Sequence, residues 1–295
     1  MSSNMPVAEF DVDSALVQRL LVDQHPDLAH LQLAPLACGW DNAIFRLGDA
    51  LTVRMPRRQV GADLIASEQR WLPELAPHLP LPTPCPVRIG RPALGYPWSW
   101  SVCPWLPGEP AALTPPRNAL STARTLGAFL KALHIPAASD APVNPFRGIP
   151  LLHRNARVHA RIEQLHQSID AAGVRALWEA LVATPIWQGP PLWLHGDLHA
   201  ANILVDHGSI SAVIDFGDIT GGDPATDIAV AWIMLPKQAR GTLRNALTYA
   251  DDLTWARARG WALVFALEYL ANSADNPMIY QLGLRTLPAV MEEQD

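Results

Sequence analysis

The stretch Leu192-Trp-Leu-His-Gly-Asp-Leu-His-Ala-Ala-Asn-Ile-Leu-Val205, followed by Ile210-Ser-Ala-Val-Ile-Asp-Phe-Gly217, decides the fold. Leu192–Leu194 and Ile203–Val205 are short apolar runs of β type. His207-Gly208 turns the chain back into Ala212–Ile214, which delivers Asp215 at a strand end. Asp197, Asn202 and Asp215 thus fall within nineteen residues, on loops fed by buried strands. Their oxygen atoms suit a magnesium-bound phosphate. Singly, each is bland: an Asp after Gly is a common turn residue, and His195 or His199 alone reads as a satisfied loop histidine.

The order carries more. An Asp, an Asn five residues on, and a second Asp before Phe-Gly is how protein kinases place a catalytic base and two magnesium ligands. The chain resembles the aminoglycoside phosphotransferase family, small-molecule kinases with a protein-kinase-like fold. His195–Asn202 matches the family's His-Gly-Asp-Leu-His-x-x-Asn loop. Ile214–Asp218 matches Ile-Asp-Phe/Trp-Gly-Asp/Glu, and Gly222–Ala229 matches Gly-Asp-Pro-x-x-Asp-Ile/Leu-Ala. The resemblance implies an α+β, two-lobed fold with an antiparallel-sheet N-lobe over residues 1–103 and a mainly helical C-lobe over 104–295. It implies that Asp197 takes the acceptor's hydroxyl proton, that Asn202 and Asp215 hold Mg2+, and that ATP or GTP is the donor. His195 and Asp227 are then structural support for the catalytic loop.

Two other classes compete. His195, Asp197, His199 and Asp215 can be read as a metal-dependent hydrolase cluster, but Asn202, Phe216 and Gly217 then have no task. A nucleotide-binding pseudokinase is the second; the intact Asp197, Asn202 and Asp215 argue against it.

Upstream, residues 9–29 read as an amphipathic helix, with Val12, Leu16, Leu20 and Leu21 on one face. Strands are expected at Leu31–Leu36, Ala43–Leu47 and Leu51–Met55, with Gly39 and Asn42 in the turn that the resemblance sets over the nucleotide phosphates. Kinases carry a phosphate-holding lysine on the third strand, paired with a helix Glu. No lysine precedes Lys131 here. Arg54 takes that place, with Val53 and Met55 on the opposite face, and Glu68 on a helix over 62–72 is its expected partner. Arg57 and Arg58 read as surface charges or secondary phosphate contacts. Pro80, Pro82, Pro84 and Pro86 force extended chain, leading to strands at 87–89 and 96–103. Residues 103–108, including Cys103 and Trp105, fall at the hinge where family members meet the purine.

The remainder reads as helical: 118–134, 151–167, 174–183, 224–235, 241–249, 253–272 and 278–291. His134, closing the first of these, reads as structural. Asp218 and Asp223 are candidates for an acceptor amine or hydroxyl, with turn or cap chemistry as the alternative, given Thr220-Gly-Gly-Asp-Pro224. Trp178, Trp187, Trp232, Trp255 and Trp261 read as core more readily than as a pocket lining. The family's acceptors include aminoglycosides, macrolides, choline, homoserine and sugars, which the shared motifs do not tell apart.

Composition sets the outer bounds. A hydrophobic content of 49% fits a globular protein, and a net charge of −6 disfavours nucleic acid as a partner. Cys38, Cys85 and Cys103 lack metal spacing and suggest free thiols in a reducing compartment. Met1–Phe10 lacks the pattern of a secretory signal, and Trp261–Leu267 is too short to span a membrane. The expected setting is cytoplasmic, with a nucleotide and a small-molecule acceptor as partners.

Overall fold

The computed structural model describes residues 6–292; the first five residues of the Met1–Phe10 stretch lie outside it. The chain forms two compact units. One gathers the chain up to Pro77, Pro82–Pro107 and Asp215–Gly217; the other gathers His78–Leu81, Gly108–Ile214 and the chain from Asp218 onward.

The first unit opens with α1 (Ser14–Gln24), shorter than expected at both ends. The Asp13 side chain accepts from Leu16 N at 2.7 Å and fixes the start. Pro26 bars helical geometry at His25, which caps the other end. An antiparallel five-stranded sheet follows, built from β1 (Leu33–Cys38), β2 (Asn42–Leu47), β3 (Leu51–Pro56), β4 (Arg88–Gly90) and β5 (Trp100–Pro104), in the order β1-β2-β3-β5-β4. The helix between β3 and β4, α2 (Gln59–Leu75), extends beyond 62–72 at both ends and tolerates Pro73 in its last turns. The strand expected over 96–103 begins only at Trp100, because Pro97 interrupts pairing; Tyr96 makes an isolated bridge to Ala93.

Alternation along β2 and β3 sorts this unit's interior. Ala43, Phe45, Leu47, Val53 and Met55 join Leu16, Val17, Leu20 and Leu21 in one apolar cluster. Thr52 and Arg54 are also buried, but lie outside that cluster. The opposite face of β3 therefore carries charge.

The second unit contains β6 (Glu109–Pro110), α3 (Ala119–Leu133), α4 (Asn155–Leu165), α5 (Ala171–Val182), β7 (Leu192–Leu194), β8 (Ile203–Asp206), β9 (Ser209–Val213), β10 (Thr220–Gly222), α6 (Ala225–Ile228), α7 (Val230–Met234), α8 (Lys237–Ala246), α9 (Asp252–Asn272) and α10 (Pro277–Met291). The single helix expected over 224–235 is thus two short ones meeting at Ala229. Helix α9 is buried on nearly every side, from Trp255 through Leu270, and is the core element against which α4, α5, α6 and α10 pack. The tryptophans Trp178, Trp232, Trp255 and Trp261 are core. Strands β8 and β9 are joined through His207 and Gly208, at φ 49° and 83°, the left-handed pair that a two-residue hairpin needs. Among the described residues, no helix is long and apolar enough to cross a membrane.

One packing contact in the first unit gives a direct test. Gly90 pairs with Trp100 across β4 and β5, and a Cβ on Gly90 would lie 1.8 Å from Trp100 Cε2. Trp100 is fully buried and cannot swing clear. Gly90→Ala should cost about 3 kcal/mol or more by overpacking. Urea unfolding curves of the variant and the parent, compared at equal slope, check it.

Candidate functional site

In the second unit the Leu192–Val205 stretch becomes β7, a loop, and β8. Gly196 in that loop has φ 84°, and a Cβ there would meet Asp218 O at 2.3 Å, so only glycine fits. The loop is pinned from below by Asp227, which is fully buried. Its Oδ2 accepts from His195 N at 2.8 Å, and its Oδ1 from Gly196 N at 2.9 Å. His134 Nε2 reaches the same Oδ2 at 3.1 Å, while its Nδ1 faces the Tyr249 hydroxyl. Burial, reinforced by the Asp227 charge, pushes the Tyr249 phenol well above its ordinary range, so it donates to Nδ1 and His134 donates to Asp227. His195 is fixed in the same way: Nδ1 accepts from Asp197 N at 3.2 Å, and Nε2 donates to Ile214 O at 2.9 Å. His195, His134 and Asp227 brace backbone here.

Asp197 stands above this brace with its side chain 23% exposed. Its Oδ1 accepts from Arg147 Nη2 at 3.0 Å and its Oδ2 faces His199 Nε2 at 3.2 Å. Burial works against its charge, but His199 and Arg147 outweigh it and hold the carboxyl well below the usual range. The group is ionised at neutral pH. The stability this pairing contributes is present above about pH 4, where an unfolded Asp is ionised, and is lost only as pH falls through the lower folded value. Asn202 is buried, and its Nδ2 donates to Asp197 O at 3.0 Å, which leaves Oδ1 as its oxygen donor. Ile214 N donates to Asn202 O at 2.9 Å, so the residue preceding Asp215 is tied to Asn202 by backbone.

In the first unit, Arg54 is 7% exposed and its Nη1 donates to both oxygens of Glu68, at 2.8 and 2.7 Å. Its Nη2 donates to Asp215 Oδ1 at 3.2 Å. Burial opposes the guanidinium charge, but Glu68 and Asp215 overcome that and keep it firmly protonated. Asp215 has φ 64°, costly for a residue with a side chain, and its carboxylate is 56% exposed. Gly39 N donates to Asn42 O at 2.9 Å and closes the β1–β2 turn, while Gly39 O accepts from Arg57. Arg58 pairs with Asp41 at 3.2 Å. Cys103 is buried, its thiol pushed up to about 12, chiefly by burial. Trp105 N donates to Ala50 O at 2.7 Å, and its ring lies 4.1 Å from the Arg46 guanidinium carbon.

Two acceptor candidates separate. Asp223 is 5% exposed; both its oxygens serve Arg257, at 2.6 and 3.4 Å, and its Oδ1 also caps Ala225 N at 3.0 Å. The expected acceptor contact at Asp223 is therefore corrected to core and cap chemistry, as its position before Pro224 permits. Asp218 accepts from Asn144 Nδ2 at 2.6 Å and stays partly open. Sequence reading missed Arg147, Asn144 and Tyr269. A lone arginine in a Pro- and Gly-containing loop and a tyrosine inside a core helix carry no local signal.

The oxygen donors of Asn202 and Asp215 are hard ligands of the kind Mg2+ takes. Among the described residues, no group of three or more His, Cys, Asp or Glu is arranged to hold a metal, which leaves the hydrolase cluster without its geometry.

A sequence profile of the phosphotransferase enzyme family, APH, matches residues 32–261 of the 295. Solved structures share the fold at low identity. The GDP and kanamycin complex of APH(2")-IIia superposes with a TM-score of 0.68 at 18% identity, covering 94% of this chain and 98% of that one. Macrolide 2'-phosphotransferase MphH from Brachybacterium faecium gives 0.59 at 20% identity, covering 95% and 98%. ADP-bound aminoglycoside phosphotransferase APH(2'')-Ib gives 0.58 at 18%, covering 95% and 99%.

The Asp227 brace generates its own prediction. Asp227→Ala should leave two buried backbone N–H groups and the His134 Nε2–H unpaired and cost about 3–5 kcal/mol. Asp227→Asn keeps acceptor capacity on one oxygen and should cost less. Chemical denaturation of the three proteins gives the ranking; equal stability in all three would remove Asp227 from its bracing role.

Proposed function

The chain belongs to the phosphotransferase enzyme family, and on that premise we propose that it moves the γ-phosphate of ATP or GTP to a hydroxyl of a small molecule. The observation that carries the reading is an ionised, solvent-accessible Asp197 in the loop that leads to Asn202. In this proposal residues 1–103 handle the nucleotide, and residues 104–295 carry the catalytic and acceptor-binding groups. Relatives of the same fold were captured with GDP and with ADP, which supports a purine nucleotide donor. The acceptor is a small alcohol, of the broad class that antibiotic, sugar and amino-alcohol kinases use. The setting proposed is cytoplasmic.

Asp197 orients the acceptor hydroxyl and receives its proton. A carboxylate held this far below its ordinary range is a weak base, so its main contribution is position, with proton transfer late. That suits a loose phosphoryl-transfer transition state, which asks little of a base. Asn202 and Asp215 hold Mg2+, which when bound neutralises charge on the phosphates. Arg54, aligned by Glu68, steadies the α- and β-phosphates through a guanidinium fork in place of an ammonium point charge. Gly39 and Asn42 shape the turn at the phosphates, and Cys103 and Trp105 mark the hinge that meets the purine. Asp218 meets an amine or hydroxyl of the acceptor.

Asp215→Ala should abolish turnover, and Asn202→Ala should lower it and raise the magnesium requirement. Rates of nucleotide consumption across a magnesium titration check both; unchanged values in both variants would take these residues out of the site.

Arg54→Ala should lose a charge-assisted contact worth about 1.5–3 kcal/mol, roughly ten- to a hundredfold in nucleotide affinity. Arg54→Lys should fall between that variant and the parent. Calorimetric titration with a non-hydrolysable nucleotide decides it, and parental affinity in Arg54→Ala would move the phosphate contact elsewhere.

A further inference from the structure

Resting on that kinase reading, we propose that Arg147 determines acceptor specificity and selects an alcohol that also carries an anionic group, a carboxylate or a phosphate. The residue lies in the second unit, between α3 and α4, and touches the proposed base. Its Nη2 donates to Asp197 Oδ1, and its side chain is 20% exposed, so both partners are within reach of a ligand. The rest of the guanidinium is poorly satisfied. Nη1 donates to Phe146 O at a long 3.5 Å, and Nε is buried with no partner among the described residues.

Against its burial, Asp197 and Asp218 hold the Arg147 guanidinium charged, but the neighbouring Arg154 is less well paired. Arg154, 6% exposed, lies with its guanidinium carbon 5.9 Å from the Phe146 ring, and its Nε is likewise buried without a partner among the described residues. Among the described residues it pairs with Glu268, at 3.6 Å, which already holds Arg157 and takes Arg161 at 3.2 Å. Three guanidiniums share that single carboxylate. Burial first, and the Arg147 charge second, pull Arg154 below its ordinary range, against the opposing pull of Glu268. Buried cations in excess of their counter-ions are stabilised by an anion that brings its own oxygens.

The remaining wall fits the same ligand. The Arg147 guanidinium carbon lies 5.0 Å from the Phe265 ring, and Phe265 stacks on Tyr269 at 6.0 Å and 18°. Tyr269 in turn meets the His199 ring edge-on at 5.6 Å. The Tyr269 hydroxyl is buried with no partner among the described residues, and burial, helped by the Asp197 charge, keeps it protonated as a donor. An anionic acceptor would find a guanidinium and a phenol beside the base. A polycation would instead bring ammonium groups against Arg147 and Arg154, a like-charge contact that is costly once desolvated.

The test compares glycerate and glycerol 3-phosphate with uncharged glycerol and with polycationic kanamycin. Each is assayed for phosphorylation and, independently, for thermal stabilisation of the full chain with magnesium and a non-hydrolysable nucleotide present. At least one of the two anions should bind tenfold or more tightly than glycerol, and the two arms tell carboxylate from phosphate. That preference should collapse in Arg147→Gln, persist in part in Arg147→Lys, and weaken in Tyr269→Phe. Absence of Arg147-dependent anion binding overturns the proposal, as does phosphorylation of kanamycin in preference to both anions. Nucleotide binding by the parent, measured without any acceptor, stands apart: its absence defeats the kinase reading, whereas its presence without anion binding defeats only the assignment of Arg147.

Discussion

The buried carboxylate of Asp227 is the constraint on which the loop after β7 rests. A buried carboxylate is costly unless every lone pair finds a donor, and here the donors are His195 N, Gly196 N and His134. Satisfying the carboxylate therefore dictates the path of the backbone at residues 195 and 196, with Gly196 left-handed against Asp218. Asp197 follows as the next residue, its backbone tied to His195 and its carboxylate held by Arg147 and His199. The backbone that carries Asp197 is thus set by a buried carboxylate and the groups that satisfy it.

The two carboxylates proposed for chemistry are held by different partners. Asp197 draws on His199 and on Arg147 in its own unit. Asp215 is held in a strained left-handed conformation beside Arg54, whose other nitrogen is committed to Glu68. Arginine is suited to that second arrangement because its planar fork can serve two carboxylates at once, which an ammonium does with less directionality. The departure from lysine on this strand is therefore accompanied by a geometry that uses the extra nitrogen.

In the proposal for the acceptor, Arg147 adds a charge beside Asp197. It sits on the loop between α3 and α4, while Phe265 and Tyr269 come from the buried helix α9. In the proposed reading, specificity arises where this loop meets a wall of the core helix, within the family fold.

Much of this was legible in the sequence, for a physical reason. The His195–Asn202 and Ile214–Asp218 motifs, the strand pattern around Arg54, and the helical periodicity after Asn118 are local, and local geometry follows from turn chemistry and side-chain period. The pairing of Arg54 with Glu68 was legible too, because a strand and the helix after it bring them together. What tertiary structure alone decided are contacts between segments far apart in the chain. Arg147 meets Asp197 across fifty residues, Asp223 meets Arg257 across thirty-four, and Tyr269 reaches His199 from a helix whose pattern reads only as core. Whether a carboxylate is offered to a ligand or consumed by a distant arginine depends on packing, which no local periodicity encodes.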